Sequence, residues 1–300
     1  MKILVLGSEG FIGKHTFRHF KNGGHQVTGA DIILKDEPGY KLINPELPDF
    51  SGIFANKAFD VCINATGAAN VQFSFAQPGM DYILNVSNVY AILDAIRKYN
   101  PACKFINLSS AAVYGNPKEL PIKESTELSP LSPYGFHKMY SETICKEFHD
   151  LFGIQSLSVR IFSAYGEGLK KQLFWDLHKK LESSNGQIEL FGTGKETRDF
   201  IYIKDLVSAL DCIVQGAAFS GNSINVASGI ESTIADAVGY FVSASRKNVN
   251  VHFSGLAKMG DPANWRADIS LLKSFGFKNT YSLKEGISNY CQWVQEKRSL

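Results

Sequence analysis

The 300-residue chain has no block of like charge, no long apolar run and no closely spaced cysteine pair, and each lack closes off a class of function. Its five cysteines (Cys62, Cys103, Cys145, Cys212 and Cys291) are odd in number and far apart, with no C-x-x-C. Neither a disulfide framework nor a zinc site reads that way. Reduced, mostly buried thiols in a cytoplasmic protein are the expectation. The seven histidines show no ligand spacing, so no metal is expected. Thirty-one basic residues against 29 acidic give a net charge of +2, and the basic residues are scattered. That argues against a nucleic-acid groove and against a polybasic membrane patch. No apolar stretch reaches the roughly 18–20 residues of a membrane span. The opening Ile-Leu-Val-Leu run stops at Gly7, too short for a signal-peptide core, and reads as a strand.

What is present is an ordinary globular composition, 44% hydrophobic and 20% charged, long enough for one large α/β unit or a main domain with a smaller lobe. Short apolar or β-branched runs at Ile3–Leu6, His25–Asp31, Asp60–Ala65, Lys104–Ser109 and Leu157–Phe162 alternate with helical stretches at Phe11–Lys21, Met80–Tyr99 and Tyr134–Phe152. Such alternation predicts βαβ units and a doubly wound parallel sheet, a Rossmann arrangement with its site at the carboxyl ends of the strands. Pro38–Pro48 reads as a loop. After Tyr165 the rhythm changes. A basic helix over Lys170–Leu181 precedes a glycine-punctuated, hairpin-like stretch over Asn185–Gly194, and helices follow at Asp205–Gln215, Ser232–Ala244 and Leu283–Lys297. The expected division is a dinucleotide-binding domain over 1–165, with 205–227 returning to it. A substrate-binding lobe then comprises 166–204 and 228–300.

Gly7-Ser-Glu-Gly10-Phe11-Ile12-Gly13 sits directly after the first strand and opens the first helix. One glycine permits the tight turn, the next lets backbone approach a pyrophosphate, and the third lets helix pack on strand. A glycine triplet alone is weak evidence, and its strand–turn–helix setting strengthens it. Asp31 ends the second strand 18 residues beyond Gly13, where a carboxylate followed by Ile32 can accept both ribose hydroxyls of an adenosine and repel a 2′-phosphate. NAD is therefore expected rather than NADP, with nearby Lys35 able to soften the preference. The plain alternative is a turn-forming Asp.

Ser132-Pro133 is a helix start, which puts Tyr134 and Lys138 four apart on one helical face. A phenol with its usual pKa of about 10 is a poor base at neutral pH, and an ammonium beside it stabilises the phenolate. His137, between them, reads as a surface residue of the helix. Ser109-Ser110-Ala-Ala-Val-Tyr-Gly115 follows a strand, so its hydroxyls emerge at the same carboxyl edge, where a serine can orient the oxygen that Tyr134 deprotonates.

Together GSEGFIG, SSAAVYG, YGFHK and RDFIYIKDL resemble the extended short-chain dehydrogenase/reductases, in particular nucleotide-sugar epimerases related to UDP-glucose 4-epimerase. The resemblance spans essentially the whole chain. It implies Ser110, Tyr134 and Lys138 as catalytic residues, Asn64, Ala65, Thr66, Gly67 and Asn85 near NAD, and a nucleotide-diphosphate sugar as substrate. It also implies Arg198, Lys258, Trp265, Phe191 and Arg266 around the nucleotide half of that substrate. Three departures from the family pattern stand out. Ala111-Ala112 replace the acidic residues that dehydrating and decarboxylating relatives carry there, which suits a 4-epimerase needing one acid/base group. Lys258 replaces an arginine and gives charge without the bidentate fork. Ser163 replaces an asparagine that bonds the substrate's phosphates. The implied reaction is epimerisation at C4 through a 4-keto sugar. A 4-keto sugar-nucleotide reductase on the same scaffold and a non-catalytic NAD(P) sensor are the alternatives. A homodimer through the helices Met80–Tyr99 and Tyr134–Phe152 is the further expectation of the family.

Overall fold

The runs Ile3–Leu6, Val61–Asn64 and Ser156–Ile161 are buried on every residue, which only a sheet covered on both faces allows. The computed structural model describes residues 1–46, 48–55, 57–256, 260 and 262–296. Its strands in chain order are β1 (Lys2–Leu6), β2 (Gln26–Asp31), β3 (Tyr40–Leu42), β4 (Val61–Asn64), β5 (Lys104–Ser110), β6 (Ser156–Ile161), β7 (Ser163–Tyr165), β8 (Gln187–Leu190), β9 (Thr197–Tyr202), β10 (Ser223–Val226), β11 (Glu231–Thr233) and β12 (Asn250–Phe253). Seven of them form one sheet in the order β10-β6-β5-β4-β1-β2-β3, every neighbour parallel. The doubly wound fold is therefore present. The chain winds outward from β1 to β3, then returns to β4 and continues the other way. The crevice between the carboxyl ends of β1 and β4 is thus the switch point where such sheets take ligands.

Alternate residues of β1 serve different cores. Ile3 and Val5 join a cluster with Val61, Ile63 and Ile106, while Leu4 and Leu6 join Cys62, Phe105 and Ile92 on the opposite face. The first cluster continues without a break into the carboxyl-terminal segments, through Phe174, Tyr202, Phe241 and Tyr290. There β7, β9 and β11 make a three-stranded sheet, and β8 pairs with β12.

Several sequence expectations change. The Pro38–Pro48 stretch is not all loop, because Tyr40–Leu42 adds an edge strand to β2. Asn185–Gly194 is not a hairpin. Its strand β8 pairs in parallel with β12, about sixty residues later, so no tight turn joins the two. The helix expected over Met80–Tyr99 begins at Pro78, with proline in its first turn, and passes through one π-helical turn at Ile83–Ser87. His137 is buried, not on the surface. All five cysteines are free, four of them buried.

Candidate functional site

The glycine loop is shaped by contacts that leave no room for side chains. A Cβ on Gly13 would lie 2.0 Å from the Gly7 carbonyl oxygen, so only glycine lets the first helix, Phe11–Asn22, close onto the turn. Gly10 caps that helix, and Phe11 and Ile12 open it half-buried against the core. The helix amino terminus therefore faces the switch point, where its free N–H groups favour an anion. At the end of β2 the Asp31 carboxylate is fixed by two backbone donors, Glu9 N–H at 2.8 Å and Ile32 N–H at 2.7 Å. The Ile32 side chain beside it is exposed.

At the end of β4, Asn64 turns its side-chain oxygen back to accept from the Thr66 N–H (3.2 Å) and hydroxyl (2.5 Å), which shapes the turn through Ala65 to Gly67. A Cβ on Gly67 would fall 2.4 Å from the Asn85 side-chain oxygen. Asn85 sits in the π-helical turn, is buried, and neither polar atom of its side chain has a partner within the protein. A buried amide costs stability unless it is bonded. Its place beside the Asn64–Gly67 turn makes it a donor and acceptor aimed at whatever the crevice holds.

Ser110 ends β5 and caps the short 3-10 turn Ala111–Tyr114, accepting from the Ala112 N–H at 3.2 Å. Its hydroxyl faces the phenol of Tyr134 and acts to lower that group's pKa. Tyr134 lies in the first turn of the helix Pro133–Phe152, which Ser132 caps by accepting from the Gly135 N–H at 3.2 Å. One turn on, the Lys138 ammonium donates to the Leu108 carbonyl of β5 at 2.9 Å and sits 5.9 Å from the Tyr134 ring centre. The pairing expected at this spacing is present, but the electrostatics differ from expectation. Burial pushes the Tyr134 phenol up to about 12, against the lowering effect of the Ser110 hydrogen bond. Burial also pulls Lys138 down to about 8, opposed by the carboxylates of Asp81 and Glu142. In the protein alone, desolvation outweighs the help the phenolate was expected to gain from the ammonium.

Two features here were not read from the sequence. His137 Nδ1 lies 2.6 Å from a carboxylate oxygen of Asp81, a fully buried acid whose other oxygen has no hydrogen-bond partner. The pair joins the helix that opens at Pro78 to the Tyr134 helix. Behind the serine, Arg160 of β6 donates to both oxygens of Glu142 and to the Tyr114 hydroxyl, and Ser109 donates to Glu142 at 2.5 Å. Glu142 follows Lys138 by one turn, so this buried cluster fixes the Tyr134 helix to β5 and β6.

The residues expected around the nucleotide half lie in the carboxyl-terminal segments, hereafter the lobe. Arg198 of β9 donates to the carbonyls of Thr197 (2.8 Å) and Ala263 (3.2 Å), with its guanidinium 5.7 Å from the Trp265 ring centre. The Trp265 indole donates to the Gly115 carbonyl at 3.0 Å, and Ala263 N–H donates to the Asn116 side chain at 2.7 Å. These bonds dock the lobe onto the turn that follows Ser110. Arg266 is half-buried, with its Nε buried and unpaired. Ser163 opens β7, half-buried, just beyond the carboxyl end of β6. Phe191 is 63% exposed after β8. Lys258 lies outside the described residues. The structure thus gathers the glycine loop, Asp31, Asn64–Gly67, Asn85, Ser110, Tyr134, Lys138 and Ser163 along one sheet edge, with Arg198 and Trp265 docked beside it and Phe191 left open.

Comparison with known proteins agrees with this geometry. The model of the NAD dependent epimerase/dehydratase family matches residues 3–227. A Bacillus subtilis (strain 168) protein described as uncharacterized UDP-glucose epimerase YtcB is 30% identical over 96% of this chain and 96% of its own. A putative UDP-glucose 4-epimerase of Methanocaldococcus jannaschii is 28% identical over 98% of both chains. Among solved structures, UDP-glucuronic acid 4-epimerase from Bacillus cereus, in complex with UDP-glucuronic acid and NAD, superposes with a TM-score of 0.88. It is 27% identical, covering 99% of this chain and 100% of that one.

Proposed function

Because the chain belongs to the NAD-dependent epimerase/dehydratase family, we propose that it inverts a nucleotide-activated sugar at C4 through a transient 4-keto sugar, using NAD. The relatives' names favour a uridine diphosphate sugar. The observation that carries this reading is the trio gathered at one end of the sheet: half-buried Ser110 at the end of β5, with buried Tyr134 and Lys138 one turn apart on the helix beside it and the Lys138 ammonium bonded to the Leu108 carbonyl of β5. The cradle fits the cofactor. Gly7 and Gly13 admit no side chain and so keep the turn between β1 and the first helix tight, Asp31 stands ready for ribose hydroxyls, and Asn85 has two unspent polar atoms at the crevice. When bound, NAD supplies a cationic ring and a hydride acceptor that can return what it takes.

Tyr134 removes the proton from the sugar's C4 hydroxyl and later returns it, while Ser110 orients that oxygen. Lys138 holds positive charge beside the phenol. Ala111 and Ala112 follow directly and carry no acid or base, which disfavours elimination of water. Arg198, Trp265 and Arg266 hold the nucleotide diphosphate, so the sugar can turn over between the two hydride steps. The apolar side chains exposed on the paired helices, Tyr82, Ile83 and Tyr90 on one and Phe136, Tyr140 and Leu151 on the other, support a homodimer. The free cysteines suit a reducing compartment, and a cytoplasmic location belongs to this reading.

The test is to incubate purified protein with single UDP-sugars and no added reductant, then separate the C4 epimers by chromatography. The dinucleotide released on denaturation is identified in parallel. Interconversion with NAD retained near one per chain supports the reading. Turnover only with added NADPH would instead identify the 4-keto reductase.

A further inference from the structure

The adenosine end of the cradle carries a charge arrangement that its glycine motif does not require. Glu9, between the first two glycines, uses its backbone N–H to hold Asp31 at 2.8 Å and its side chain to hold two ammonium groups. One carboxylate oxygen is 3.0 Å from Lys35, and the other is 3.4 Å from Lys14. The Glu9 side chain is only 15% exposed, so it lies within the wall of the crevice. Lys35 is further shared with Glu37 at 3.3 Å and lies 5.9 Å from the Tyr40 ring centre. Its pKa is raised, first by the hydrogen bond to Glu9 and then by that to Glu37. The Tyr40 phenol is raised by burial and then by the charges of Asp31 and Glu9. Lys35 is thus the cation nearest Asp31 along the chain after β2, and it is bonded to acids on two sides.

A 2′-phosphate on the adenosine ribose would bring close to two negative charges to this corner. Such a group needs a cation, and Lys35 and Lys14, the ammonium groups beside Glu9, are already bonded to its carboxylate. Resting on the cofactor reading above, we infer that Glu9 is a second NAD-selecting residue, which repels a 2′-phosphate beside Asp31 and sequesters the Lys35 ammonium that would otherwise receive it. Lys35 therefore does not soften the preference for NAD in the wild-type protein. Its contribution toward NADP is latent, released only when Glu9 loses its charge. Asp31 selects by bonding the ribose hydroxyls, whereas Glu9 selects by occupying the cation.

The test is a competition. Purified protein is held with equal concentrations of NAD and NADP until the bound ratio is constant. It is then freed of unbound nucleotide and denatured, and the released dinucleotides are quantified. Wild type should retain NAD almost alone. Glu9→Gln should raise the bound NADP:NAD ratio roughly two- to fivefold, and adding Lys35→Ala to that variant should remove most of the gain. Lys35→Ala alone should not raise the ratio. If Glu9→Gln leaves the ratio at the wild-type value while Asp31→Asn raises it, the role given to Glu9 is wrong and the NAD reading stands. A gain that persists in the double variant overturns the sequestration of Lys35. Equal retention of both dinucleotides by wild type would overturn the NAD preference itself.

Discussion

The sheet edge that carries Tyr134 and the lobe that carries Arg198 are built with different degrees of constraint. Tyr134, Lys138 and Ser110 each sit on a regular element, and the Ser109–Glu142–Arg160–Tyr114 cluster bolts those elements together from behind. In the lobe, Arg198 bonds main-chain carbonyls of its own neighbourhood, the Arg266 Nε has no partner, and Phe191 faces solvent. A proton transfer needs atoms placed within fractions of an ångström, and rigid elements supply that. A diphosphate grip needs charge and reach, which long cations supply even from a strand such as β9. On the proposed function, the chemistry falls to groups tied together by the buried Glu142–Arg160 cluster, while the substrate is gripped by long cations with fewer fixed partners.

The sharpest way to break this comparison is at the phenol. Tyr134→Phe should lower turnover by about 10²–10⁴-fold while retained NAD, circular dichroism and melting temperature stay near wild type. Near-normal turnover would move the acid/base role away from the rigid edge altogether. The second test is aimed at the bolt. Glu142→Gln leaves the Arg160 guanidinium buried without its countercharge, a loss of about 3–5 kcal/mol. A fall in melting temperature of roughly 10 °C follows, read by calorimetry on the holoenzyme. A shift of only a degree or two would mean that the edge is no better fixed than the lobe.

The same contrast explains what could be read from the residues. The glycine cradle, the Ser132-Pro133 helix start and the four-residue Tyr134–Lys138 spacing are local patterns, so they were legible, and strand–helix alternation made the parallel sheet legible with them. The strand β3 was hidden because three residues in a proline-rich stretch become a strand only by pairing with β2. The pairing of β8 with β12 depends on contacts about sixty residues apart, which no local period encodes. His137 looked like a surface residue because its partner, Asp81, comes from another helix. Lys35 was read as a charge near Asp31, and only the fold shows that Glu9 already holds it. Residues placed by local turns and helical spacing surfaced in the sequence, and those placed by a strand pairing or a tertiary partner did not.

In the lobe the expected effect is smaller and of a different kind. Arg266→Ala removes a half-buried cation whose Nε is unspent, and charge-assisted hydrogen bonds of this sort contribute about 1.5–3 kcal/mol. The KM for the nucleotide sugar should therefore rise about ten- to hundredfold, with kcat within a fewfold of wild type. A drop in kcat with KM unchanged would place Arg266 among the groups that act on the reacting sugar, and the division between a chemical edge and a gripping lobe would fail.

The smallest expected effect probes how close the rigid edge runs to its electrostatic limit. Lys138 titrates at about 8, pulled down by burial and held up chiefly by Asp81 and then Glu142. Its ammonium form is present below that pH and is lost above it. Turnover that depends on the ammonium should accordingly fall as pH rises through about 8. Asp81→Asn removes the larger of the two supporting carboxylates, so deprotonation becomes easier and the alkaline limb of kcat should move to lower pH. The shift should be roughly half a unit or more, with the acid side little changed. His137→Gln keeps the Asp81 charge and should leave that limb closer to its wild-type position than Asp81→Asn does. If both variants shift the limb equally, Asp81 acts through its bond to His137, by holding two helices in place. If only Asp81→Asn shifts it, the carboxylate acts on Lys138 by charge across the buried helix interface.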